Sequence, residues 1–432
     1  MSKDLELSPE RLAQAAARIV EEQNEWRGKD TLNLIASENV MSPAAAQLTL
    51  SDFAYRYAEG EVGRRYYEGT KYVDELESLC EKAFNSLFGS DYSNVKPLSG
   101  AQANLAIFMS FATPGDEVAS FDVPSGGHIS YREFGAAGCR GLKVNDIPFD
   151  PVEFRLDYDR FTQLVREKRG KLKIVTLGGS LILFPHPVRE VSKVLAEESG
   201  TSEVILHYDA AHVLGLIAGG LFQKPFEEGA QVMSSSTHKT FPGPQGGVVL
   251  AKGLEPPKIA AIRRSIFPGL VSNHHLHRLP SLLYTLAEMM RFGSAYASQT
   301  VSNAKKLAKA LSDNGFKVAG EAKGYTESHQ VAFDASDVGG GTAASTLLAS
   351  ANIITNKNLL PGEPLSNSRN PSGIRLGVQE MTRLGMGEKE MYTIAELFDQ
   401  LLHKKADPSY IAQRVRSMRK EFRTVKYTFG SP

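Results

Sequence analysis

The residues best suited to covalent chemistry lie at 234–247, where the sequence reads SSSTHKTFPGPQGG. Lys239 is the lysine of this run, and small hydroxyl residues such as Ser236 and Thr237 leave room for a ligand to reach its amine. A lysine amine attacks a carbonyl carbon when burial or nearby cations lower its pKa from roughly 10.4 and favour the neutral form. Most lysines are solvated surface residues, so the interpretation of Lys239 depends on what else the chain places near it.

Four strand-like runs are each followed by a polar residue beyond the C-terminal end of the run. These pairs are 117–121 with His128, 173–177 with Ser180, 204–208 with Asp209 and 231–233 with Lys239. Strands that alternate with helical patterns indicate a mostly parallel sheet, and such sheets bind ligands outside the carboxyl ends of their strands. One such residue is more often a cap or a satisfied core group, but four at corresponding ends favour a shared cofactor site.

A candidate anion site precedes the helical pattern at 103–111. Ser99 and Gly100 form a turn there, followed by Ala101 and Gln102. A helix that opens on such a turn leaves backbone N–H groups unpaired at the positive end of its dipole, which suits a phosphate. A serine N-cap is common before helices of all kinds, so this motif alone does not decide between a phosphate site and an ordinary cap.

The segment 57–69, YAEGEVGRRYYEG, has neither a helical nor an alternating period and is predicted to be a loop. Its glycines, tyrosines, arginines and glutamates are typical of loops that carry function. The composition fits a surface loop whose tyrosines pack on a neighbour equally well. The run LIASEN at 34–39 similarly leaves Ser37 and Glu38 at a polar turn after a short apolar stretch.

Three histidines, His274, His275 and His277, follow the sequence FPGLVSN at 267–273. No cysteine or carboxylate cluster accompanies them in the sequence at the spacing of metal ligands. A structural zinc site needs about four such ligands together with residues that orient them. We therefore predict that the protein holds no metal.

Charge and composition exclude several classes of function. Lysine plus arginine and aspartate plus glutamate both number 49, so no global field attracts nucleic acid or an anionic membrane. No stretch approaches the roughly 18 apolar residues of a membrane span, and the charged N-terminus lacks the apolar core of a signal peptide. The two cysteines, Cys80 and Cys139, are far apart in sequence and fit free thiols. We expect a cytoplasmic protein that binds neither nucleic acid nor a membrane.

The length of 432 residues suggests two or three domains, at a prior of about 150 residues each. Up to residue 314, capping residues and apolar periodicity predict five helical segments, the last of which contains long helices. They lie at 9–26, 43–54, 72–87, 103–111 and 280–314. The predicted divisions of the chain are an N-terminal helical arm at 1–50, a large cofactor-binding domain at 51–285 and a smaller C-terminal domain at 286–432.

Several motifs together resemble the serine hydroxymethyltransferase family, specifically its archaeal branch. They are, in chain order, LIASEN at 34–39, RYAEG and GRRYYEG within 56–69, SGAQANLA at 99–106, GGHIS at 126–130, DAAHVLGLIAG at 209–219, STHKTFPGPQGG at 236–247, NKNLLP at 356–361 and SGIRLG at 372–377. This family belongs to the fold-type I pyridoxal-phosphate enzymes, which are aspartate aminotransferase-like. The resemblance implies an α/β protein whose large domain has a mostly parallel seven-stranded sheet, with a smaller C-terminal α/β domain.

The resemblance implies a role for each residue of the expected cofactor site. Lys239 would hold pyridoxal 5'-phosphate covalently, Asp209 would pair with the pyridine nitrogen, and His128 would stack on the ring. The other assignments are Ser99, Gly100 and Ala101 around the phosphate with His238 nearby, Ser180 and His212 close to the phenolic oxygen, Arg375 and Ser37 on the carboxylate of the amino-acid substrate, and Thr237 among the catalytic residues. A guanidinium fork suits that carboxylate, although a structural ion pair would also explain Arg375.

The resemblance also implies a homodimer with shared active sites. The residues of one chain that would reach the site of the partner are Tyr57, Glu59, Tyr66 and Tyr67. Glu59 would transfer protons, and Tyr57 and Tyr67 would join it in catalysis and substrate binding. The carrier site would comprise Glu59, Tyr66, Val123, Gly127, Ile129 and Asn358. The implied reaction moves the hydroxymethyl carbon of serine to tetrahydrofolate or tetrahydromethanopterin, which gives glycine and the methylene carrier.

The sequence departs from the bacterial and eukaryotic pattern in two places. PGPQGG at 242–247 replaces the usual RGPRGG and removes two arginines, and FPGLVSN at 267–273 replaces the glycine-rich FPGGQGG. Both changes look like the archaeal branch and like the related threonine transaldolases, so a threonine aldolase or transaldolase is the alternative with the same cofactor. The intact RRYYEG and LIASEN favour hydroxymethyl transfer. A non-catalytic binding protein is disfavoured because Lys239, Asp209 and Arg375 are all present.

Overall fold

The computed structural model describes residues 8–201 and 203–430. Its α-helices are α1 (Pro9–Glu25), α2 (Pro43–Gln47), α3 (Lys71–Phe88), α4 (Gly100–Phe111), α5 (Ala136–Cys139), α6 (Tyr158–Glu167), α7 (Val188–Glu198), α8 (Leu214–Ala218), α9 (Pro256–Ile266), α10 (Arg278–Asp313), α11 (Gly340–Ser350), α12 (Gln379–Arg383), α13 (Glu388–Leu402) and α14 (Pro408–Arg419). Its strands are β1 (Leu32–Asn33), β2 (Gly60–Glu61), β3 (Arg64–Arg65), β4 (Tyr92–Asn94), β5 (Glu117–Ser120), β6 (Lys143–Asp146), β7 (Phe149–Asp150), β8 (Arg155–Leu156), β9 (Leu172–Gly178), β10 (Ile205–Asp209), β11 (Val232–Ser236), β12 (Gly247–Ala251), β13 (Lys317–Val318), β14 (Gln330–Asp334), β15 (Ile353–Ile354), β16 (Asn356–Asn358) and β17 (Gly373–Gly377). Among these helices of the described residues, none is both long and apolar enough to cross a membrane.

The larger sheet has seven strands in the order β4-β12-β11-β10-β9-β5-β6. Neighbouring strands are parallel except for β12, which runs antiparallel to both β11 and β4. Asp209 at the end of β10 lies opposite Gly178 at the end of β9 and Ser234 in β11. The predicted mostly parallel seven-stranded sheet is therefore confirmed, and the turns that follow these three strands share one edge.

Both faces of this sheet are buried, which explains why its strands read as nearly continuous apolar runs. Successive residues of a strand point to opposite faces. Ile174 of β9 packs in the core formed with α4 and α9, whereas Val175 packs in the core formed with α3, α8 and α10. Ile205 and Leu206 of β10 divide between the two cores in the same way. The helices thus cover both faces and leave the strand ends for polar groups.

A third core forms around the four-stranded antiparallel sheet β13-β14-β17-β16. Phe333 of β14 and Ile374 of β17 pack there, and Leu32 of β1 joins them because β1 pairs in parallel with β15. The 36-residue helix α10 supplies Leu282 to the core that it forms with α3 and α8 against the larger sheet. It supplies Leu307 to the core around the four-stranded sheet. The predicted α/β architecture with a smaller C-terminal sheet is confirmed, while the divisions at residues 50 and 285 remain predictions.

Two helix predictions differ from the structure. Helix α2 ends at Gln47 instead of continuing through residue 54, because the Thr49 hydroxyl donates to the Ala46 carbonyl at 2.6 Å and local turn bonds replace the helical ladder. The segment 280–314 forms part of the single helix α10 rather than several long helices. The segment 57–69 is a loop as predicted, except for the short hairpin of β2 and β3.

Candidate active site

A cavity of about 140 Å³ lies where β9, β10 and β11 end and α4 begins. Its lining consists of Gly100, Ala101, Asn104, His128, Gly179, Asp209, Ala211, His212, Ser236, His238 and Lys239. The positive φ of Gly178 (112°) lets the chain turn into this lining directly beside Asp209, whose carbonyl oxygen would lie 2.2 Å from a Cβ at that position. The cavity therefore brings together residues that are far apart in the sequence.

Lys239 reaches the cavity from the turn that follows β11. The Asn39 amide donates to the Lys239 carbonyl at 2.7 Å, and the Thr240 hydroxyl donates to the His212 carbonyl at 2.7 Å, so the backbone on both sides of the lysine is fixed. Burial lowers the pKa of Lys239 to about 8; the Asp209 carboxylate opposes this shift and Arg375 adds to it. A substantial fraction of the amine is therefore neutral near pH 8, as a nucleophile requires.

Asp209 ends β10 with both carboxylate oxygens held. Oδ2 accepts hydrogen bonds from Asn104 Nδ2 at 2.8 Å and from the Tyr131 hydroxyl at 2.6 Å, and Oδ1 accepts from the Ala211 N–H at 2.8 Å. Burial raises the pKa of Asp209, but His128 and the hydrogen bonds from Tyr131 and Asn104 outweigh it, so the pKa is lowered overall. An ionised carboxylate thus faces the cavity and can keep a heterocyclic ring nitrogen protonated.

His128 presents a neutral imidazole to the same cavity. Its Nδ1 accepts from the Ser130 backbone N–H at 3.2 Å and lies 2.8 Å from the Ser130 hydroxyl oxygen. Because Nδ1 accepts a hydrogen bond from a backbone donor, the proton of the neutral ring is on Nε2. Burial lowers the pKa of His128, and Lys239 and Arg375 act in the same direction against Asp209. An uncharged planar ring of this kind can stack on an aromatic cofactor.

The start of α4 forms a cradle for an anion. The Ser99 side chain caps the helix by accepting from the Gln102 N–H at 3.1 Å. The N–H groups of the first turn, at Gly100 and Ala101, have no partner inside the helix and lie at its positive end. A Cβ at Gly100 would lie 3.1 Å from the backbone nitrogen of Ser236, so glycine allows β11 to end close against the helix.

His238 adds an unpaired polar atom to this cradle. Its Nδ1 is buried and has no hydrogen-bond partner among the described residues. Burial, followed by Lys239 and Arg278, lowers the pKa of His238 to about 4, so the ring is neutral. A buried nitrogen without a partner is costly unless a ligand meets it. The amine, the carboxylate, the flat imidazole and the cradle together fit an aromatic aldehyde that carries a phosphate.

Arg375 lies beside the cavity in β17 with part of its guanidinium unused. Its NH1 donates to the Ser180 carbonyl, and its Nε donates to Asn356 Oδ1 at 3.2 Å. Burial lowers its pKa to about 10, and none of the ion pairs among the described residues includes it. A structural ion pair therefore does not account for Arg375. Ser37 lines a neighbouring cleft of about 390 Å³, which shares His238 with the cavity.

The predicted loop residues do not line the cavity of their own chain. Tyr57, Tyr66 and Tyr67 are exposed, and Glu59 lies beside them in the β2–β3 hairpin region. The Tyr57 and Tyr67 rings lie 5.5 Å apart. The loop is fixed nonetheless, because Arg65 donates to the carbonyls of Ala58 and Gly60. The backbone of this loop is therefore held in place, while its tyrosines are exposed and lie outside the lining of the chain's own cavity.

The other predicted residues have positions that the structure defines individually. Thr237 is buried and its hydroxyl donates to the Pro244 carbonyl at 2.6 Å, which shapes the turn after Lys239. The residues predicted for the carrier, Val123, Gly127, Ile129 and Asn358, lie outside the cavity lining, as does Ser180. Ser180 still contributes its backbone carbonyl to Arg375.

Four residues with a clear place in the site were not predicted from the sequence. Asn104 binds Asp209 and lies one helical turn after Gly100, so helical spacing could have identified it. Tyr131, His329 and Gln330 carry no such signal. His329 stacks on His212 with 5.8 Å between ring centroids, and its Nε2 lies 3.1 Å from the Ala36 carbonyl oxygen.

The histidine cluster differs from expectation in one respect. The sequence offers no nearby carboxylate, yet His274 Nε2 lies 3.1 Å from Glu77 Oε2, which is 197 residues away in the chain. His275 and His277 stack on each other at 5.7 Å. Among the described residues, no group of three or more histidine, cysteine or acidic side chains is arranged to hold a metal ion.

The fold and the cavity define a class of protein, the pyridoxal-phosphate enzymes of fold type I. Asp209 ends a strand of the larger sheet, and Lys239 and the start of α4 meet it at the same edge. A model of the serine hydroxymethyltransferase family matches residues 12–398. The chain belongs to this family, as its motifs indicated.

Similar proteins agree with this assignment. The serine hydroxymethyltransferase of Pyrococcus horikoshii is 51% identical over 414 residues, which are 95% of each chain. That of Methanopyrus kandleri is 48% identical over 417 residues, which are 96% of this chain and 95% of the relative. The solved structure of L-threonine transaldolase from Pseudomonas fluorescens in its internal aldimine state has a TM-score of 0.86 and 29% identity, covering 97% of this chain and 96% of that one. The protein is accordingly a pyridoxal-phosphate-dependent transferase that converts serine and glycine in one-carbon metabolism.

Proposed function

We propose that the hydroxymethyl carbon of serine passes to a reduced pterin at the cavity around Lys239. The carrying observation is that a lysine amine of pKa about 8 and an ionised Asp209 line this cavity, beside a guanidinium that has no carboxylate partner among the described residues. When bound, pyridoxal 5'-phosphate supplies an electron-accepting ring that stabilises negative charge on the substrate α-carbon. Lys239 would bind its aldehyde carbon, Asp209 would hold the ring nitrogen protonated, and Ser99, Gly100 and Ala101 would hold the phosphate.

Arg375 would bind the carboxylate of serine, with Ser37 on the neighbouring side. The support for this role is the free capacity of its guanidinium, which is fixed in orientation by the Ser180 carbonyl and by Asn356. A planar fork held by two neutral acceptors keeps its remaining N–H groups for a bidentate contact. His128 would cover one face of the cofactor ring and restrict where water can enter.

We infer a homodimer in which each active site uses residues of both chains. The support is that Tyr57, Tyr66 and Tyr67 are exposed although their loop is fixed, and that α1 exposes Ile19 and Val20 on a helix without buried residues. Fixed, exposed apolar groups of this kind mark protein contacts. Glu59 of one chain would then move a proton at the hydroxyl of the serine bound in the other, with Tyr57 and Tyr67 lining that site.

The carrier would bind near Glu59 and Tyr66 of one chain and Val123, Gly127, Ile129 and Asn358 of the other. Serine cleavage measured with tetrahydrofolate, with tetrahydromethanopterin and with neither tests this proposal. We expect glycine to form rapidly only with one of the carriers. Equal serine cleavage without any carrier, together with rapid threonine turnover, would overturn the proposal in favour of a threonine aldolase or transaldolase. The cytoplasmic location remains a prediction from the sequence.

A further inference from the structure

Gln330, the first residue of β14, makes three side-chain hydrogen bonds in the interior of the protein. Its Oε1 accepts from the Ile182 backbone N–H at 2.7 Å. Its Nε2 lies 3.0 Å from the Ser180 carbonyl oxygen and 2.9 Å from Nδ1 of His212. Gln330 is fully buried, and its contacts reach both the cavity lining and the backbone carbonyl that binds Arg375.

These partners leave one orientation for the amide of Gln330. A backbone N–H can only donate, so the atom facing Ile182 is the amide oxygen. A backbone carbonyl can only accept, so the atom facing Ser180 is the amide nitrogen. Both assignments agree, and the second hydrogen of the NH₂ group is therefore directed at His212 Nδ1.

The orientation of the amide decides which nitrogen of His212 carries the proton. Because Nδ1 accepts from Gln330, a neutral His212 ring is protonated on Nε2. The ring is neutral because burial and then the neighbouring Lys239, Arg375, His329 and His128 lower its pKa well below the ordinary value. His212 lines the cavity, and no hydrogen bond among the described residues uses its Nε2. Nε2–H is thus a donor free for a ligand.

We propose that Gln330 is a positioning residue that fixes His212 as an N–H donor to the phenolic oxygen of the bound cofactor. This inference rests on the proposed placement of the cofactor in the cavity. The same amide also holds the Ser180 carbonyl, which in turn accepts from Arg375 NH1. Gln330 therefore aligns the donor for the cofactor and the guanidinium for the substrate from one point in the core.

Substituting Gln330 tests the proposal. In Gln330→Glu an ionised carboxylate facing His212 has only acceptor oxygens, so the histidine must then place a proton on Nδ1. In Gln330→Leu the ring loses the partner that selects its tautomer. Gln223 is the matched control, because it is also a buried glutamine with several hydrogen bonds but binds His186, Tyr208 and Glu228 away from the cavity. Gln223→Leu and Gln223→Glu report the general cost of losing a buried amide.

The first measurement uses the full-length protein without cofactor. ¹⁵N NMR of histidine-labelled protein distinguishes a protonated from an unprotonated ring nitrogen, with His212→Asn identifying the resonances. We expect His212 to carry its proton on Nε2 in the wild type and in both Gln223 variants, and on Nδ1 in Gln330→Glu. A His212 that stays protonated only on Nε2 in Gln330→Glu, at a pH where ¹³C NMR shows the introduced carboxyl to be ionised, would overturn the proposal.

The second measurement follows the visible absorbance of the cofactor bound at Lys239 as a function of pH. Loss of the donor disfavours negative charge on the phenolic oxygen, so the pH at which the absorbance changes should rise by about one unit, a tenfold change, in Gln330→Leu and in His212→Asn. A shift in His212→Asn without one in Gln330→Leu overturns the role of Gln330 alone. Wild-type protein that develops no visible absorbance with added cofactor would instead overturn the proposed cofactor site.

Discussion

Two clusters of buried charge are joined by the short segment between β4 and α4. The first, which we term the Glu77 hub, consists of Glu77 with Arg65, Lys96 and His274 at 3.0, 3.1 and 3.1 Å. The second is the cavity around Lys239. Lys96 belongs to the hub, and the phosphate cradle begins only three residues later at Ser99. The two clusters are therefore neighbours in the chain. They differ in whether their cations are paired with carboxylates of the chain.

In the Glu77 hub the cations are paired inside the chain, because Arg65 also contacts Asp74 at 2.7 Å and Lys96 also contacts Glu61 at 2.9 Å. Burial raises the pKa of Glu77, but His274, Lys96 and Arg65 outweigh it and bring the value to about 2. In the cavity the Asp209 carboxylate raises the pKa of Lys239, but its oxygens already accept three hydrogen bonds, and none of the ion pairs among the described residues includes Arg375. A cluster whose charges are paired inside the chain stabilises the fold. A cluster with unpaired cations can still bind an anionic ligand.

Arg278 joins the two regions through hydrogen bonds to the backbone. Its NH2 donates to the Val95 carbonyl and to the carbonyls of Pro97 and Gly247, the latter two at 3.2 Å. These carbonyls belong to the segment that leads from the hub to the cradle and to the strand after the Lys239 turn. A Cβ at Gly246 would collide with the Arg278 guanidinium, so a side chain there would have to displace Arg278. Arg278 thus ties the segment between the hub and the cradle to the strand that follows the Lys239 turn.

Removing Lys239 should have the largest effect. Lys239→Ala should lower serine cleavage by at least about a thousandfold, because the nucleophile is lost. The cradle and Asp209 remain, so some cofactor should still bind without a covalent bond. Borohydride reduction followed by peptide mass spectrometry checks this, with Lys193→Ala as an exposed lysine control. A reducible cofactor bond to another lysine in Lys239→Ala would contradict the assignment.

The Glu77 hub should matter for stability instead. Glu77→Gln removes the buried carboxylate that Arg65, Lys96 and His274 share, and should cost about 3 to 5 kcal/mol of unfolding free energy at neutral pH. The pKa of Glu77 is depressed in the folded state, so its contribution is present above the ordinary glutamate value of 4.5 and is lost as the pH falls toward 2.

Urea unfolding at a series of pH values measures this contribution. The difference between the wild type and Glu77→Gln should shrink as the solution becomes more acidic. Glu75→Gln, exposed on the same helix, is the matched control and should change stability little at any pH. A difference that stays constant with pH, or that is absent at neutral pH, would mean that the hub is not balanced as described.

Arg375 should be the main determinant of substrate binding. Arg375→Ala should raise the serine KM and lower kcat/KM by about 30- to 1000-fold, because a bidentate charge-assisted contact contributes roughly 2 to 4 kcal/mol. Arg375→Lys should restore little, since an ammonium cannot form the fork. Steady-state kinetics check this, with Arg369→Ala as an exposed arginine control. Kinetics close to wild type in either Arg375 variant would place the carboxylate site elsewhere.

Sequence reasoning succeeded where local pattern carries the information. Lys239 and Asp209 follow apolar strands whose ends meet at one sheet edge, so the fold places them together once the strands are recognised. The bond between His274 and Glu77 joins residues 197 positions apart, and neither neighbourhood predicts the other. Gln330 is similar, because its role depends on where the second sheet docks against the Ser180 turn. Tertiary contacts of single polar residues leave no period in the sequence.

Mixed dimers test whether each active site uses residues of both chains. Lys239→Ala and Glu59→Ala chains are each inactive alone, and when co-expressed they pair at random, so about half of the dimers are hybrids. If the loop serves the partner, half of the sites in a hybrid combine an intact Lys239 with an intact Glu59. Serine cleavage should then recover to roughly a quarter of the wild-type value per site, an effect smaller than any single loss above.

The control and the contrary result follow from the same geometry. Two affinity tags isolate the hybrids, and a mixture of Lys239→Ala with Asp209→Ala chains should recover nothing, because both residues line the cavity of one chain and each hybrid site then lacks one of them. If Glu59 serves its own chain, the Glu59 mixture must behave like this control. Hybrid dimers that are folded but recover no activity would therefore show that the loop with the exposed tyrosines does not supply Glu59 to the cavity of the partner. Each cavity would then take its proton-transfer group from its own chain.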